Sequence, residues 1–218
     1  MARASSGRNA FAVPADVSQE DQVKKTIESA AKTLGGLDIM VANAGICCST
    51  GSLIENQLFS TSVCRGVGPL LRINVNGVCF CYKYAGNKWL HKDVAGGSLA
   101  LRLSWVNQSY GSPLLCHEIC DPWPLTIFAQ ELGPHRITVN TYAPGVIDTP
   151  MTQAGDAVLC KQLGVESGMA HMAAATPAGY LGKPEDVASP VSYLASKEAH
   201  FITGQGVNSR HRDWLVQA

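Results

Sequence analysis

The sequence predicts an α/β domain of the doubly wound kind, with helices on both faces of a parallel sheet. Strand-like apolar runs alternate along the chain with segments of helical periodicity, and this alternation is typical of that class. Five of the six residues from 37 to 42 are apolar, without the polar alternation of a strand that has one face in water. We therefore expect residues 37–42 to form a buried central strand.

Composition limits the classes of function. A chain of 218 residues, 46% of them hydrophobic, can form one large core, and no segment resembles a linker, so we expect a single domain over residues 1–218. The 17 basic and 17 acidic residues cancel, which argues against nucleic-acid and anionic-membrane partners. Neither a secretory signal nor a bilayer-spanning segment is recognisable. We expect a cytoplasmic protein that acts on a small molecule.

The eight cysteines are expected to be free thiols, because a core of this size needs no disulfide support. Cys79 and Cys81 alternate along an apolar run, which favours core packing over metal binding. Cys116, His117 and Cys120 could lie together on a helix, but a structural zinc normally takes four ligands and no second pair has suitable spacing. We predict no metal site.

The first predicted unit is a strand, a helix and a second strand. Residues 10–16 form a strand-like run, and Ser18 with Asp21 three residues later resembles a capping box that starts a helix. Gly35 and Gly36 end that helix just before residues 37–42. Strands joined in this way are parallel, with a right-handed crossover. The predicted apolar face of the helix consists of Val23, Ile27, Ala30, Ala31 and Leu34.

Asn43, Ala44 and Gly45 end the strand abruptly. Small side chains there allow a flat ligand to lie against the backbone, and ligands of open α/β sheets bind at the carboxyl ends of strands. At these residues the chain resembles the short-chain dehydrogenase/reductase family, whose strand-end motif reads Asn-Ala-Gly. The resemblance extends from about Phe11 to Val207. It implies a Rossmann-like doubly wound sheet in three αβα layers, and NAD or NADP as cofactor.

The resemblance also assigns residues to the adenosine half of the cofactor. Asn43, Ala44 and Gly45 would contact the adenosine. Asp16, beside Val17, would hydrogen-bond the adenine ring, and the alternative for Asp16 is a plain strand-end carboxylate. Folds of this kind normally open with a strand and a glycine-rich turn that binds the pyrophosphate, and no such turn precedes Phe11. We expect an incomplete fold without its first β-α-β unit, residues 1–10 as a remnant leader, and weak cofactor binding.

Two residues carry the family's catalytic pattern. Residues 74–78 resemble its Asn-Val-x-Gly-Val helix, in which the first asparagine, here Asn74, kinks the backbone and holds a water of the proton relay. The alternative for Asn74 is a surface amide. Ser104 ends a predicted strand at residues 96–104 and matches the serine whose hydroxyl binds the substrate carbonyl oxygen. These two residues are the predicted catalytic set.

The rest of the family's catalytic pattern is missing. Family enzymes have Tyr-x-x-x-Lys about thirteen residues past the serine, one helical turn apart. His117 and Asp121 occupy those positions here. Pro122 and Pro124 add two residues that a helix interior does not tolerate. A histidine could donate a proton instead, but Asp121 would repel a carbonyl oxygen that becomes negative. We expect impaired catalysis.

The longest match to the family is residues 137–151, predicted to be a strand and a ligand loop. The resemblance places Pro144 and Gly145 beside the nicotinamide, Val146 on its carboxamide through the backbone, and Thr149 on the amide or the pyrophosphate. Residues 152–181 correspond to a mobile substrate lid. Residues 182–187 start the last main helix, which contains an unexpected Pro190, and residues 201–207 are the predicted final strand.

The resemblance implies an oxidoreductase that interconverts small ketones or diketones and secondary alcohols. Residues 146–151 are similar to the acetoin and diacetyl reductase branch. The alternative is a non-catalytic remnant from a truncated or mis-spliced gene. Either protein could form a homo-oligomer through its long helices. Without the first unit, the strand at Phe11 would pair directly with Ile39, or an apolar strand would become an exposed edge.

Overall fold

The computed structural model describes residues 10–46, 68–90, 99–103 and 123–208. The described strands are β1 (Ile39–Ala42), β2 (Leu99–Leu103), β3 (Thr138–Ala143) and β4 (Gly206–Asn208). The described α-helices are α1 (Glu20–Leu34), α2 (Val78–Leu90), α3 (Trp123–Leu132), α4 (Pro150–Leu163), α5 (Gly168–Ala175) and α6 (Pro184–Leu194). A π-helix (Arg72–Gly77) leads directly into α2. None of the described helices is long and apolar enough to span a membrane.

The four described strands form one parallel sheet in the order β1-β2-β3-β4. Helix α2 contacts β1 and β2, α3 contacts β3, and α1 packs on α2. These elements share one core cluster, which includes Ile27, Tyr82, Leu125 and Val139. Helix α6 contacts β2 and β3 and belongs to a separate cluster around Leu194. The predicted doubly wound αβα fold is therefore confirmed.

The expectation of a strand buried on both faces at residues 37–42 is wrong. Ile39 is 44% exposed and Val41 is 37% exposed, whereas Ala42 is only 5% exposed. Successive side chains of a strand point to opposite faces, so Ala42 and Met40 face the α1–α2 side, where they join the core cluster. Ile39 and Val41 point to the other face. Among the described strands β1 pairs only with β2, which makes it an edge.

The segment before α1 also differs from the prediction. Residues 10–16 have no regular secondary structure, and Phe11 is 42% exposed and does not pair with Ile39. The two predicted outcomes were direct pairing of Phe11 with Ile39 and an exposed apolar edge strand. Among the described strands β1 is such an edge. Gln19, not Ser18, is the N-cap of α1. The backbone N–H of Ser18 donates to the Asp16 carboxylate at 2.9 Å, because an aspartate side chain readily accepts from the backbone two residues further along.

Other helix and strand boundaries follow the prediction with smaller corrections. Gly35 ends α1 at φ 75°, in the left-handed region that glycine adopts without strain. Leu34 is 58% exposed and is not part of the buried face.

Pro124 lies in the first turn of α3, where proline is tolerated. The last strand begins only at Gly206, and Phe201 is 91% exposed. Helix α6 continues through Pro190.

Candidate functional site

The carboxyl ends of the parallel strands define one edge of the sheet. Residues 43–45 follow β1 there, and residues 144–146 follow β3, because parallel strands all end at the same side. Strand β2 lies between them, so the two segments are separated by about 10 Å, two strand spacings. Ser104 comes directly after β2 in the sequence and lies outside the described residues, as do Cys116, His117, Cys120 and Asp121.

An open cleft lies beside the end of β1. Gly77 forms part of its wall, and a Cβ atom at Gly77 would come within 2.9 Å of the Val17 carbonyl oxygen. Burial raises the pKa of the Cys81 thiol to about 11, and the neighbouring Cys79 adds to the shift. The wall is therefore largely uncharged and suits an aromatic ligand. The lining residues are Val17, Met40, Val41, Ala42, Asn43, Ala44, Gly77, Val78 and Cys81.

Asn74 joins the π-helix to the turn after β1. Its side-chain Oδ1 accepts a hydrogen bond from the Ile46 N–H at 2.9 Å, and its Nδ2 donates to the Ile46 carbonyl at 2.8 Å. Both backbone groups of Ile46 are thus paired with one amide. Asn74 is half-buried and lies within the π-helical segment, where the backbone departs from α-helical geometry. The Asn74 amide is therefore held by backbone groups, and its role in a proton relay stays a prediction.

Asp16 is exposed and lies next to the cleft without lining it. Its carboxylate accepts a hydrogen bond from the Ser18 N–H, and interactions with the Ser18 side chain and then its backbone lower the pKa of Asp16 below its usual value. The Asp16 N–H donates to the Gln22 side chain at 2.9 Å. Val17, the next residue, does line the cleft. Asp16 is thus ionised and fixed by local bonds at the rim of the site.

The loop after β3 is held against the segment that precedes α6. The Val146 carbonyl accepts a hydrogen bond from the Gly182 N–H at 3.0 Å, and the Asp148 N–H donates to the Gly182 carbonyl at 2.8 Å. Val146 is 7% exposed. A Cβ atom at Gly182 would approach the end of the Ile147 side chain to 2.6 Å, so any larger residue there would displace that side chain. The backbone of Val146 is therefore rigidly positioned at the sheet edge.

Thr149 is the N-cap of α4. The Thr149 N–H donates to the Thr152 hydroxyl at 2.9 Å, and the Thr149 hydroxyl accepts from the Thr152 N–H at 3.5 Å. This reciprocal pair satisfies donors that an anion could otherwise bind at a helix N-terminus. The Thr149 side chain is thus committed to capping in this structure.

Sequence reasoning missed Asn140, which lies in the middle of β3 and is fully buried. Its Nδ2 donates to the Ile202 carbonyl at 2.8 Å, and its Oδ1 accepts from the Gln205 N–H at 3.2 Å. An amide inside a run of strand-forming residues is the signal that could have identified it, since a buried amide needs partners. Asn140 attaches the segment before β4 to β3.

The segment predicted as a lid contains most of α4 and all of α5, which pack together. The Asp156 carboxylate accepts a hydrogen bond from the Met169 N–H at 2.7 Å, and the Cys160 thiol accepts one from the Gly168 N–H at 3.2 Å. Gly168 sits against Leu159, which is 1% exposed. The two helices therefore form one hairpin.

Comparisons with known proteins fit this arrangement. The sequence profile of the family described as Enoyl-(Acyl carrier protein) reductase matches residues 1–112 and 125–209. The short-chain dehydrogenase/reductase eriH of Hericium erinaceus is 36% identical over 214 residues, an alignment that covers 92% of this chain and 75% of that protein. The chain belongs to the short-chain dehydrogenase/reductase family. The predicted resemblance is confirmed, and with it membership among oxidoreductases that use NAD or NADP.

Three further similarities are to one curated relative and two solved structures. The diacetyl reductase [(S)-acetoin forming] of Staphylococcus aureus strain Mu50 is 31% identical, with 88% of this chain and 74% of that protein covered. The structure of ElxO with NADP bound has a TM-score of 0.73 and 26% identity, covering 93% of this chain and 77% of the other. A dehydrogenase/reductase from Mycobacterium ulcerans, at 24% identity and a TM-score of 0.74, shows the shared fold.

Proposed function

We propose that this short-chain dehydrogenase/reductase binds NAD or NADP across the carboxyl edge of its sheet and acts, with impaired catalysis, on small ketones or diketones and secondary alcohols. The observation that carries the proposal is the pair of hydrogen bonds between Asn74 and Ile46. They hold the turn at residues 43–45 against the π-helix and so shape the cleft. A binding surface held by such contacts is preorganised.

The adenosine half of the cofactor would occupy the cleft beside β1. Val17, Asn43, Ala44 and Gly45 would contact it, with Asp16 at the rim. Support comes from the uncharged walls and from the close packing of Gly77 against Val17, which leaves no room for a side chain between them. Stacked bases are held mainly by apolar contact, which this wall supplies.

The nicotinamide half would lie beside Pro144, Gly145 and Val146. The cofactor supplies the hydride, and the protein orients it and manages the proton. The Val146 carbonyl keeps a second lone pair beyond its bond to Gly182, so it can still accept from a carboxamide. Thr149 would reach the cofactor only by giving up part of its capping role, which favours weak binding.

The substrate class rests on similarity to the staphylococcal diacetyl reductase. In this proposal Ser104 binds the substrate carbonyl oxygen and Asn74 supports the proton relay. Residues 152–181, which include most of the α4–α5 hairpin, form the substrate lid. The family profile does not match residues 113–124, a stretch that contains His117 and Asp121 in place of tyrosine and lysine. A missing general acid lowers rates by about 10²- to 10⁴-fold.

Nucleotide titration tests the binding site. Quenching of protein fluorescence by NADH and NADPH should give a Kd on the order of 1 mM. Ala44→Trp, which fills the cleft, should abolish the binding, whereas Ala188→Trp on the exposed face of α6 should leave it unchanged. Equal affinity of the two variants would refute the placement of the adenosine, and micromolar affinity of the native chain would refute weak binding.

Turnover tests the catalytic part. Diacetyl reduction, followed by NADPH absorbance, should be slower than that of the staphylococcal enzyme by about 10²-fold or more. His117→Tyr combined with Asp121→Lys should not restore the rate, because Pro122 directly follows position 121 and a proline is not tolerated in the interior of a helix that would carry both side chains. A native rate near that of the relative would show intact catalysis. The absence of any turnover at saturating cofactor would favour the second candidate, a non-catalytic remnant.

The homo-oligomer is proposed to form at the groove between α2 and α3. Phe80, Leu90 and Phe128 line this groove, together with Lys83 and Glu131 at its rim. Exposed apolar grooves with a polar rim are typical of protein contacts. Phe80→Glu should reduce the molar mass measured by light scattering, and an unchanged mass would exclude this surface.

A further inference from the structure

The hydroxyl group of Thr152 contacts four polar atoms of the loop after β3. Its Oγ1 donates to the Ile147 carbonyl at 2.7 Å and lies 2.9 Å from the Thr149 carbonyl. It accepts from the Thr149 N–H at 2.9 Å and lies 3.2 Å from the Thr149 hydroxyl. Thr152 is half-buried in the first turn of α4. Its hydroxyl therefore determines how the polar groups of Thr149 are used.

The hydrogen-bonding capacity of a hydroxyl group favours one arrangement of these contacts. A hydroxyl has one proton and two lone pairs. The shortest of the distances, 2.7 Å, joins Thr152 to the Ile147 carbonyl and has the usual length of an O–H···O bond. With its proton directed to Ile147, the Thr152 oxygen can accept from both the N–H and the O–H of Thr149. Both donors of Thr149 are then used within the protein.

In this arrangement Thr149 offers a ligand an acceptor and no donor. Among the described residues the donor to the Thr149 oxygen is the Thr152 N–H, at 3.5 Å, which makes a long and weak bond. A hydroxyl oxygen has two lone pairs, so it can still accept from a ligand. A carboxamide NH₂ can donate such a bond, whereas a carboxylate has no proton to donate. This helix start therefore differs from an open helix N-terminus, which favours anions.

We propose that Thr152 determines specificity at the nicotinamide end of the site, where it makes the protein select a carboxamide over the carboxylate of a nicotinic acid dinucleotide. This inference rests on the proposed placement of the nicotinamide beside residues 144–146 and Thr149. The Val146 carbonyl is a further acceptor at the same place. Thr152 is a positioning residue that acts through Thr149. Loss of its hydroxyl would release the N–H and O–H of Thr149, two donors that a carboxylate can bind.

Paired NMR titrations with NAD and nicotinic acid adenine dinucleotide, at millimolar concentrations, test the proposal. The native chain should bind NAD about tenfold more tightly. Thr152→Val keeps the side-chain volume without the hydroxyl, and it should strengthen binding of the acid form until the preference is about twofold or less. Thr152→Ser retains the hydroxyl and should keep the native preference. Equal binding of both dinucleotides by the native chain, or an unchanged preference in Thr152→Val, would overturn the proposal.

A matched control separates this effect from a general loss of stability. The Thr203 hydroxyl also bonds a backbone group, since it accepts from the Val139 N–H at 3.0 Å. Val139 lies near the amino end of β3, away from the loop that follows this strand. Thr203→Val should therefore leave the preference for NAD unchanged. A loss of preference equal to that in Thr152→Val would overturn the proposal.

A double-mutant comparison tests whether Thr152 acts through Thr149. Thr149→Val removes the acceptor and should itself reduce the preference for NAD, and adding Thr152→Val should then change the preference by less than it does in the native chain. Equal changes in the two backgrounds would overturn the proposed coupling. A native chain that binds neither dinucleotide would refute the proposed function and this inference together. A preference for NAD that survives Thr152→Val would refute only the inference.

Discussion

Strands β1 and β3 belong to one parallel sheet and have very different surroundings. In β3, Val139 and Asn140 are fully buried, because α3 covers one face and α6 the other. In β1, Ala42 is buried on the α2 side while Ile39 and Val41 are exposed on the other. The difference shows that burial of a strand depends on which elements flank it, and an apolar sequence alone does not determine it.

In both regions an asparagine side chain holds a loop through hydrogen bonds to backbone groups. Asn74 beside β1 pairs with both backbone groups of Ile46, and Asn140 in β3 pairs with Ile202 and Gln205. One asparagine amide bridges two backbone groups in each case. The Asn140 amide is fully buried, whereas Asn74 is half-buried. The same chemistry therefore contributes differently to stability in the two regions.

The largest expected difference is between two identical truncations, Val139→Ala and Val41→Ala. Val139→Ala removes two methyl groups from a closed core and should lower the free energy of unfolding by about 2–3 kcal/mol. Val41→Ala acts on a partly exposed side chain and should cost under about 1 kcal/mol. Urea denaturation measures both. Equal losses would mean that β1 is as well covered as β3.

Removal of an asparagine amide should also cost more stability in β3 than beside β1. Asn140→Ala removes a fully buried amide together with its bonds to the Ile202 carbonyl and the Gln205 N–H, and should cost about 2 kcal/mol. Asn74→Ala removes a half-buried amide with its two bonds to Ile46, and should cost about 1 kcal/mol. Thermal unfolding of the two variants compares them. A larger loss for Asn74→Ala would reverse the ranking of the two regions.

Two glycines of one continuous helical segment provide a packing comparison. Gly77→Ala pushes a methyl group to 2.9 Å from the Val17 carbonyl, and should lower the free energy of unfolding by about 1–2 kcal/mol. Gly86→Ala places its methyl group 3.5 Å from Leu132, an ordinary contact, and should be neutral or stabilising by up to about 1 kcal/mol. Chemical denaturation distinguishes the two. A neutral Gly77→Ala would show that the segment at Val17 is not held against the helix.

The smallest expected effect concerns the exposed contact between α1 and α2. The Glu20 carboxylate accepts hydrogen bonds from Lys83 at 2.7 Å and from the Tyr84 hydroxyl at 2.8 Å. The bonds from Lys83 and then Tyr84 lower the pKa of Glu20, so this contribution to stability is present above pH about 4.5 and is lost as pH falls through the lowered value.

The contribution of the Glu20–Lys83 bond to stability is also lost at high pH. The bond to Glu20 raises the pKa of Lys83, so its contribution is present below about pH 10.5 and is lost only as pH rises through the raised value. Glu20→Gln should therefore lower Tm slightly at neutral pH and have less effect below pH 4. Asp21→Asn, which disrupts only a pair within α1, is the control. A pH-independent difference between Glu20→Gln and the native chain would contradict this account.

Local signals in the sequence were sufficient for much of the fold. The apolar run at β1, the glycine that ends α1 and the position of β2 were all predicted, because they depend on neighbours along the chain. Residues 43–45 and 144–146 were recognised as strand-end loops for the same reason. Parallel topology then brought both loops to one edge of the sheet. The sequence also showed that His117 and Asp121 stand where the family has tyrosine and lysine.

Only the tertiary structure decided what surrounds each element. No local pattern shows that β1 has one neighbour among the described strands, that residues 10–16 lack strand structure, or that Leu34 is exposed. The partners of Asn74 and Asn140 are also distant in sequence, 28 and about 65 residues away. Burial and long-range hydrogen bonds are set by contacts between distant segments, and the energy of an edge or of a buried amide depends on those contacts.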